Sequence, residues 1–180
     1  MDDKEHIKYN TDFIEEIMGI FYYSSLIPIT FIDEFYELKT LLSEQDIFEI
    51  KNILDLYEDF NEINRLIAQT QKPEEIIHLF SESELNYIAI GLWEEDRLHG
   101  ALIAGPFTDK PYSSIEYNRI IDSLKIPLNS MPKLKTFYKK LPIVSRPRIN
   151  FLAKFLVKLI NGSMISSKYT YRFINTTKDM

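Results

Sequence analysis

The sequence predicts an α+β domain: an antiparallel sheet of about five strands, flanked by helices and followed by a C-terminal helical segment. Three observations carry this expectation. Apolar residues recur at helical spacing before residue 25 and again after residue 113. Three β-rich runs separated by short polar turns fall between residues 76 and 107. The composition is 45% hydrophobic with 12 Phe and 11 Tyr, enough apolar mass for one core without staples.

In chain order, a helix is expected from Thr11 to Ser24. Thr11 is a capping type, Asp12, Glu15 and Glu16 suit the positive end of the helix dipole, and Phe13, Ile14, Ile17, Met18 and Phe21 form its stripe. Leu26 to Asp33 is β-branched and aromatic, with Pro28 near the start where a strand tolerates it. Asp33-Glu34 reads as a turn and Phe35 to Leu42 as a second strand. Ser43 to Gln71 is the longest helical pattern, with Ser43 and Asp46 spaced like a capping box and Asp59 to Asn64 a point of interruption. Lys72-Pro73 ends it. A meander follows: Ile76–Phe80, Leu85–Trp93 and Leu98–Gly105, with the nearly all-apolar middle run expected at the sheet centre. Three helices close the pattern. Ser113 or Ser114 caps the first, Asn129-Ser130 the second with Pro132 in its first turn, and Pro147 opens the third, which Asn161-Gly162 ends. Residues 163–180 read as a polar tail or linker, extended or frayed.

Several function classes drop out. The chain has no Cys, which removes disulfides, thiol nucleophiles and cysteine metal sites. No apolar run reaches the roughly 18 residues of a membrane span. Met1-Asp2-Asp3-Lys4-Glu5 is charged with no apolar stretch behind it, so a cytoplasmic location is expected. The net charge of −6 conceals a split: residues 1–100 carry 23 acidic against 7 basic side chains, and residues 101–180 carry 4 against 14. Such asymmetry suits two oppositely charged solvated faces, or surfaces that attract each other or a second copy.

The sequence supports an enzyme poorly. His6, His78 and His99 form no HExxH pair. His78 and His99 fall on neighbouring expected strands and could meet, but no third ligand accompanies them, so no metal or cofactor is expected. Ser24-Ser25 and Ser163-Met164-Ile165-Ser166 offer neither a GxSxG elbow nor an SxxK, and no GxGxxG or GxxxxGK[ST] occurs. Glu94-Glu95-Asp96 sits at a polar turn, where solvation is the default. The basic run Lys133, Lys135, Lys139, Lys140, Arg146, Arg148, Lys154 and Lys158 lacks a helix-turn-helix or an interleaved aromatic strand, and a solvated face explains it better than a nucleic-acid surface.

Three segments, in order, resemble a known family. Gly100-Ala-Leu-Ile-Ala-Gly105-Pro106-Phe107 is similar to a G-x-x-x-x-G-P-F strand ending, Tyr138-Lys-Lys-Leu141-Pro142-Ile143-Val144-Ser145 to a Y-x-x-L-P-x-[IV]-S segment, and Leu26 to Asp33 to the opening strand, in the N-terminal sensory regions of Firmicutes AraC-type transcription regulators. The resemblance spans roughly residues 11–161. It implies a GAF/PAS-like sensory domain over residues 1–125, a helical output or dimerisation segment over 126–162, and DNA binding only through a separate helix-turn-helix domain. It also implies a homodimer, an unknown small-molecule or protein signal, no enzymatic activity and no membrane. The candidate pocket is Phe31, Tyr87, Trp93, His99 and Phe107, each of which suits ordinary core better. The candidate output or interface residues are Tyr138, Leu141, Leu152, Phe155 and Leu156. Two alternatives stand beside it: a stand-alone interaction module that modulates a regulator, and a small-molecule enzyme on a GAF-like fold.

Overall fold

A computed structural model of the chain describes residues 11–43, 47, 50–70, 75–162 and 170–175. Its elements are α1 (Thr11–Ser25), β1 (Ile29–Asp33), β2 (Leu38–Leu42), α2 (Leu56–Thr70), β3 (Glu75–Phe80), β4 (Asn86–Glu94), β5 (Arg97–Phe107), α3 (Ser114–Ser123), α4 (Met131–Lys140), α5 (Arg146–Asn161) and β6 (Thr170–Asn175). The six strands form one sheet in the order β2-β1-β5-β4-β3-β6, antiparallel throughout except for the parallel β3–β6 pair.

Both faces of this sheet are covered, and the period-two alternation of strand residues divides the core accordingly. Ile77, Leu79, Tyr87, Ala89, Ala101 and Ile103 point to one side, where α2, α3 and α4 bury Phe60, Ile63, Ile120, Leu134 and Phe137 against them. Ile76, Ile88, Ile90, Leu92, Leu102 and Ala104 point to the other, under α1 and α5. That explains why Tyr87 to Leu92 reads as almost continuously apolar: β4 and β5 are central and dry on both sides. Burying each such aliphatic side chain stabilises the fold by roughly 1.5–3 kcal/mol.

The two glycines of the Gly100–Phe107 segment have a physical cause. Gly100 holds φ +148°, and a Cβ there would lie 2.4 Å from the Ile32 carbonyl oxygen and 2.7 Å from the Phe31 ring. Gly105 holds φ +137°, with the Asn86 carbonyl oxygen 2.7 Å from where its Cβ would be, and is followed by a cis bond to Pro106. Each glycine marks a close approach of a neighbouring strand.

Hydrogen bonds at the end of β5 and just beyond it orient the outer helices. The Gly105 amide donates to the Pro28 carbonyl, Thr108 to Pro142, and Val144 to Thr108. The carboxyl end of α1 and the amino end of α5 therefore lie at the same edge of the sheet, and the two helices run antiparallel. The Phe21 and Phe155 rings meet between them at 6.1 Å.

The capping residues agree in part with expectation. Ser113 and Glu116 form a reciprocal capping box at α3, Pro147 lies in the first turn of α5, and Gly162 ends α5 in the left-handed conformation. At α4 the side chain of Ser130 makes no capping bond; a 3-10 turn, Leu128–Ser130, leads in instead. The long helix expected from Ser43 to Gln71 is a correction. The Ile53 and Leu54 amides turn back on the Ile50 carbonyl, and the helix begins only at Leu56, where the Asp55 carboxylate accepts from the Glu58 amide at 3.1 Å. Asp59 to Asn64 lie inside α2, so no interruption occurs there. Asp46, Lys72-Pro73 and His6 lie outside the described residues.

The sheet also gains a strand. Residues 170–175, placed in a polar tail by their sequence, pair in parallel with β3 from Glu75↔Thr170 to Phe80↔Asn175. An edge strand pairs through its backbone groups, and this one is only six residues of mixed character, so it did not stand out from the tail. Among the described residues no helix is long and apolar enough to cross a membrane.

Candidate functional site

The β3–β4 turn, Ser81 to Leu85, gathers the densest set of polar side chains inside the fold. The turn closes on itself through the Ser81 amide donating to the Leu85 carbonyl and the Glu84 amide donating to the Ser81 carbonyl, and Glu84 takes φ +57° to allow it. That conformation holds the Glu84 carboxylate inward, where the guanidinium of Arg119 on α3 donates to both its oxygens at 2.6 Å. A buried carboxylate needs such a partner. The Tyr112 hydroxyl donates to the Glu84 carbonyl at 2.5 Å, and the Tyr138 hydroxyl donates to the Ser83 carbonyl.

From the opposite side α2 delivers Asp59. The Tyr87 hydroxyl, rising from the middle of the sheet, donates to Asp59 Oδ2 at 2.7 Å. Burial pushes the Asp59 carboxyl up to about 6, against the lowering pull of the hydrogen bonds from Tyr87 and Ser81. Burial, helped by the neighbouring negative charges of Asp59 or Glu84, also raises the Tyr87, Tyr112 and Tyr138 hydroxyls, so all three keep their protons and act as donors. Tyr112, Tyr117 and Tyr138 pack ring to ring at 5.3–6.1 Å, with Lys135 5.8 Å over the Tyr117 ring. The result is one cluster, Asp59–Tyr87–Glu84–Tyr112–Tyr138–Arg119, tying α2, α3 and α4 to the sheet.

This arrangement can exchange a proton near pH 6 and can donate hydrogen bonds. Among the described residues no group of three or more His, Asp or Glu is placed to hold a metal ion.

The residues proposed from sequence as a pocket do not converge. Tyr87 and Trp93 lie on the α2/α3/α4 face, whereas Phe31 and Phe107 pack on the α1/α5 face. The register irregularity at Leu92/Trp93 sets His99 apart from both pairs, with its Nε2 3.1 Å from Glu94 Oε2. Of the five, only Tyr87 belongs to the polar cluster. His78 and His99 do not meet: β4 stands between their strands. His78 Nε2 instead contacts Asn86 Oδ1 at 2.8 Å and stacks on Phe107, and burial lowers its pKa.

Tyr138 and Leu141 are buried on one face and Leu152 and Leu156 on the other, with Phe155 partly covered. These four have no surface for a partner, because the apolar stripes of α4 and α5 are consumed by the sheet. The basic run divides in the same way, Lys133 to Lys140 on α4 and Arg146 to Lys158 on α5, at opposite faces. Sequence reasoning missed Asp59, Glu84, Tyr112 and Arg119. The available signal was an acidic residue inside an apolar helical stripe and three tyrosines spaced through the second half of the chain.

No family model matches the chain, and no curated protein matches it by sequence. Among solved structures it is similar to a GAF domain/HD domain protein from Geobacter sulfurreducens, at 11% identity and a TM-score of 0.37, over 71% of this chain and 92% of that one. What the coordinates define by themselves is an α+β domain with a mostly antiparallel six-stranded sheet between two helical layers.

Proposed function

We propose that this chain is a GAF/PAS-like sensory domain, non-enzymatic, of an AraC-type transcription regulator. It receives a small-molecule or protein signal on the α2/α3/α4 face and passes it through the C-terminal helices to a helix-turn-helix domain outside these residues. One observation carries the reading: a buried carboxylate–tyrosine cluster joins three helices to the sheet on the face opposite α1 and α5. Polar networks of this kind have few satisfied arrangements, so a ligand or proton that displaces one bond repacks several elements together. The ordered Gly100–Phe107 and Tyr138–Ser145 segments point to the regulator class.

The test is a ligand screen read by amide chemical shifts. A ligand of the sensor perturbs α2, the 81–85 turn and α4, and Tyr138→Phe weakens it. Binders confined to the α1/α5 layer, or an unchanged affinity in Tyr138→Phe, would sink the reading. The exposed Ile20, Tyr23 and Phe151 of α1 and α5 favour a second reading, a protein-interaction module that modulates a regulator.

A further inference from the structure

The β1–β2 turn offers two large aromatic side chains where turns usually carry glycine, asparagine, aspartate or proline. Phe35 is 73% exposed and Tyr36 45%. Tyr36 also holds φ +66°, in the left-handed region that a tyrosine rarely adopts. Asp33 builds the turn that presents them. Its Oδ1 accepts from the Phe35 amide at 3.0 Å and from the Glu37 amide at 2.9 Å. Its Oδ2 lies 3.1 Å from Lys39 Nζ, and its carbonyl accepts from the Tyr36 amide. An ordered backbone therefore holds both aromatics toward solvent.

The β4–β5 turn lies beside this one. Asp33 pairs with Gly100 across the β1–β5 ladder, and the Arg97 guanidinium donates to both Glu34 oxygens, at 2.8 and 3.3 Å. Together the two turns gather Asp33, Glu34, Glu37, Glu94, Glu95 and Asp96 at one end of the sheet. Their own basic side chains, Lys39 and Arg97, are engaged by Asp33, Glu37 and Glu34. Glu95 and Asp96 are exposed, and among the described residues neither forms an ion pair.

We propose that this end of the sheet docks a segment of a partner protein that sets lysine or arginine around an apolar side chain. The apolar side chain covers Phe35 and Tyr36, and the basic groups meet Glu95 and Asp96. Aromatic anchors carry much of the binding energy at protein interfaces, and an ordered turn loses little freedom on docking. The surplus of negative charge selects the occupant: it repels nucleic acid, an anionic membrane or an acidic peptide, and attracts a basic one. The Ser81–Leu85 turn lies at the other end of β4, so this surface is separate from the buried cluster and does not rest on the sensory reading.

The experiment titrates the full chain with a short peptide alternating lysine and leucine, followed by amide chemical shifts. Two control peptides replace lysine by glutamate, or leucine by serine. The lysine–leucine peptide should shift residues 33–38 and 94–97 and bind about tenfold or more tightly than either control. Phe35→Ser, and Glu95→Lys with Asp96→Lys, should each weaken it by about tenfold. These positions are solvent-exposed, so the fold should persist, checked by circular dichroism. Tyr36→Gly separates docking from stability. Glycine suits φ +66°, so the urea midpoint should hold or rise while the affinity falls about tenfold. Shifts centred elsewhere, equal binding of the glutamate peptide, or unchanged affinity in Phe35→Ser or Tyr36→Gly would overturn the proposal. So would shifts of Phe35 and Tyr36 produced by zwitterionic lipid vesicles, or by self-association with no peptide present.

Discussion

Asp59 is the residue whose chemistry departs furthest from its sequence. Its folded-state carboxyl titrates near 6 against about 3.8 in the unfolded chain, so the folded state binds the extra proton between those values. Stability attributable to Asp59 is therefore greatest below about pH 4 and declines as the pH rises through 6, the opposite of an ion-paired carboxylate. For a half-buried group we expect about 1–2 kcal/mol over that range. Asp59→Asn keeps an acceptor for Tyr87 while removing the charge, and should flatten that part of the profile in urea unfolding between pH 4 and 7. An unchanged slope would show that Asp59 is solvated. The glycines give a sharper contrast. Gly100→Ala would press a methyl against the Ile32 carbonyl and should cost about 2–4 kcal/mol, whereas Gly162→Ala meets nothing within 4 Å and should cost only the left-handed penalty, about 1 kcal/mol. Equal midpoints for the two in chemical denaturation would contradict this account.

At the scale of elements, caps and turns fixed the boundaries that periodicity left open. The apolar stripe Ile47, Ile50, Leu54 continues into α2 with nearly helical spacing, and all three are buried. They reach the core from a turn because Asp55 offers a cap only where the helix then starts. Asp55→Ala and Ser113→Ala should each lower stability by about 1 kcal/mol, and because the caps are on separate helices their effects should add in the double variant. Markedly non-additive losses would mean that α2 and α3 couple through the Glu84–Arg119 cluster. The meander, by contrast, was legible almost to the residue, since turn chemistry at 81–84 and 94–97 bounded runs of strong β propensity. β6 was not legible: Thr170–Asn175 is short, mixes polar residues with Tyr171, Phe173 and Ile174, and lies at the sheet edge.

Across the whole molecule, the sheet separates two kinds of helical layer. One holds the Asp59–Glu84–tyrosine cluster against the sheet, and the other buries His78 against Phe107. Both expose some large apolar side chains, Ile115 on α3 and Phe151 on α5 among them. Amide exchange should rank the strands accordingly, slowest in β4 and β5, which are paired on both sides, and fastest in the edges β2 and β6. Protection in β6 equal to that in β4 would show the parallel edge to be an integral part of the core. The charge split read from composition resolves only at this scale. The acidic and basic halves do not form two surfaces; the basic helices α4 and α5 lie on opposite faces, and α5 sits beside acidic α1.

By itself the amino-acid sequence determined the fold class, the order of most elements and the residues that must be buried, because burial follows local period and propensity. Which face each buried residue occupies was decided only in the tertiary structure. Alternation along a strand assigns two sides but not the helix that covers each, and chain order does not reveal strand order. So Phe31, Tyr87, Trp93, His99 and Phe107, plausible together on paper, are parted by the sheet, while Asp59, Glu84, Tyr112, Arg119 and Tyr138, scattered along the chain, meet at one turn.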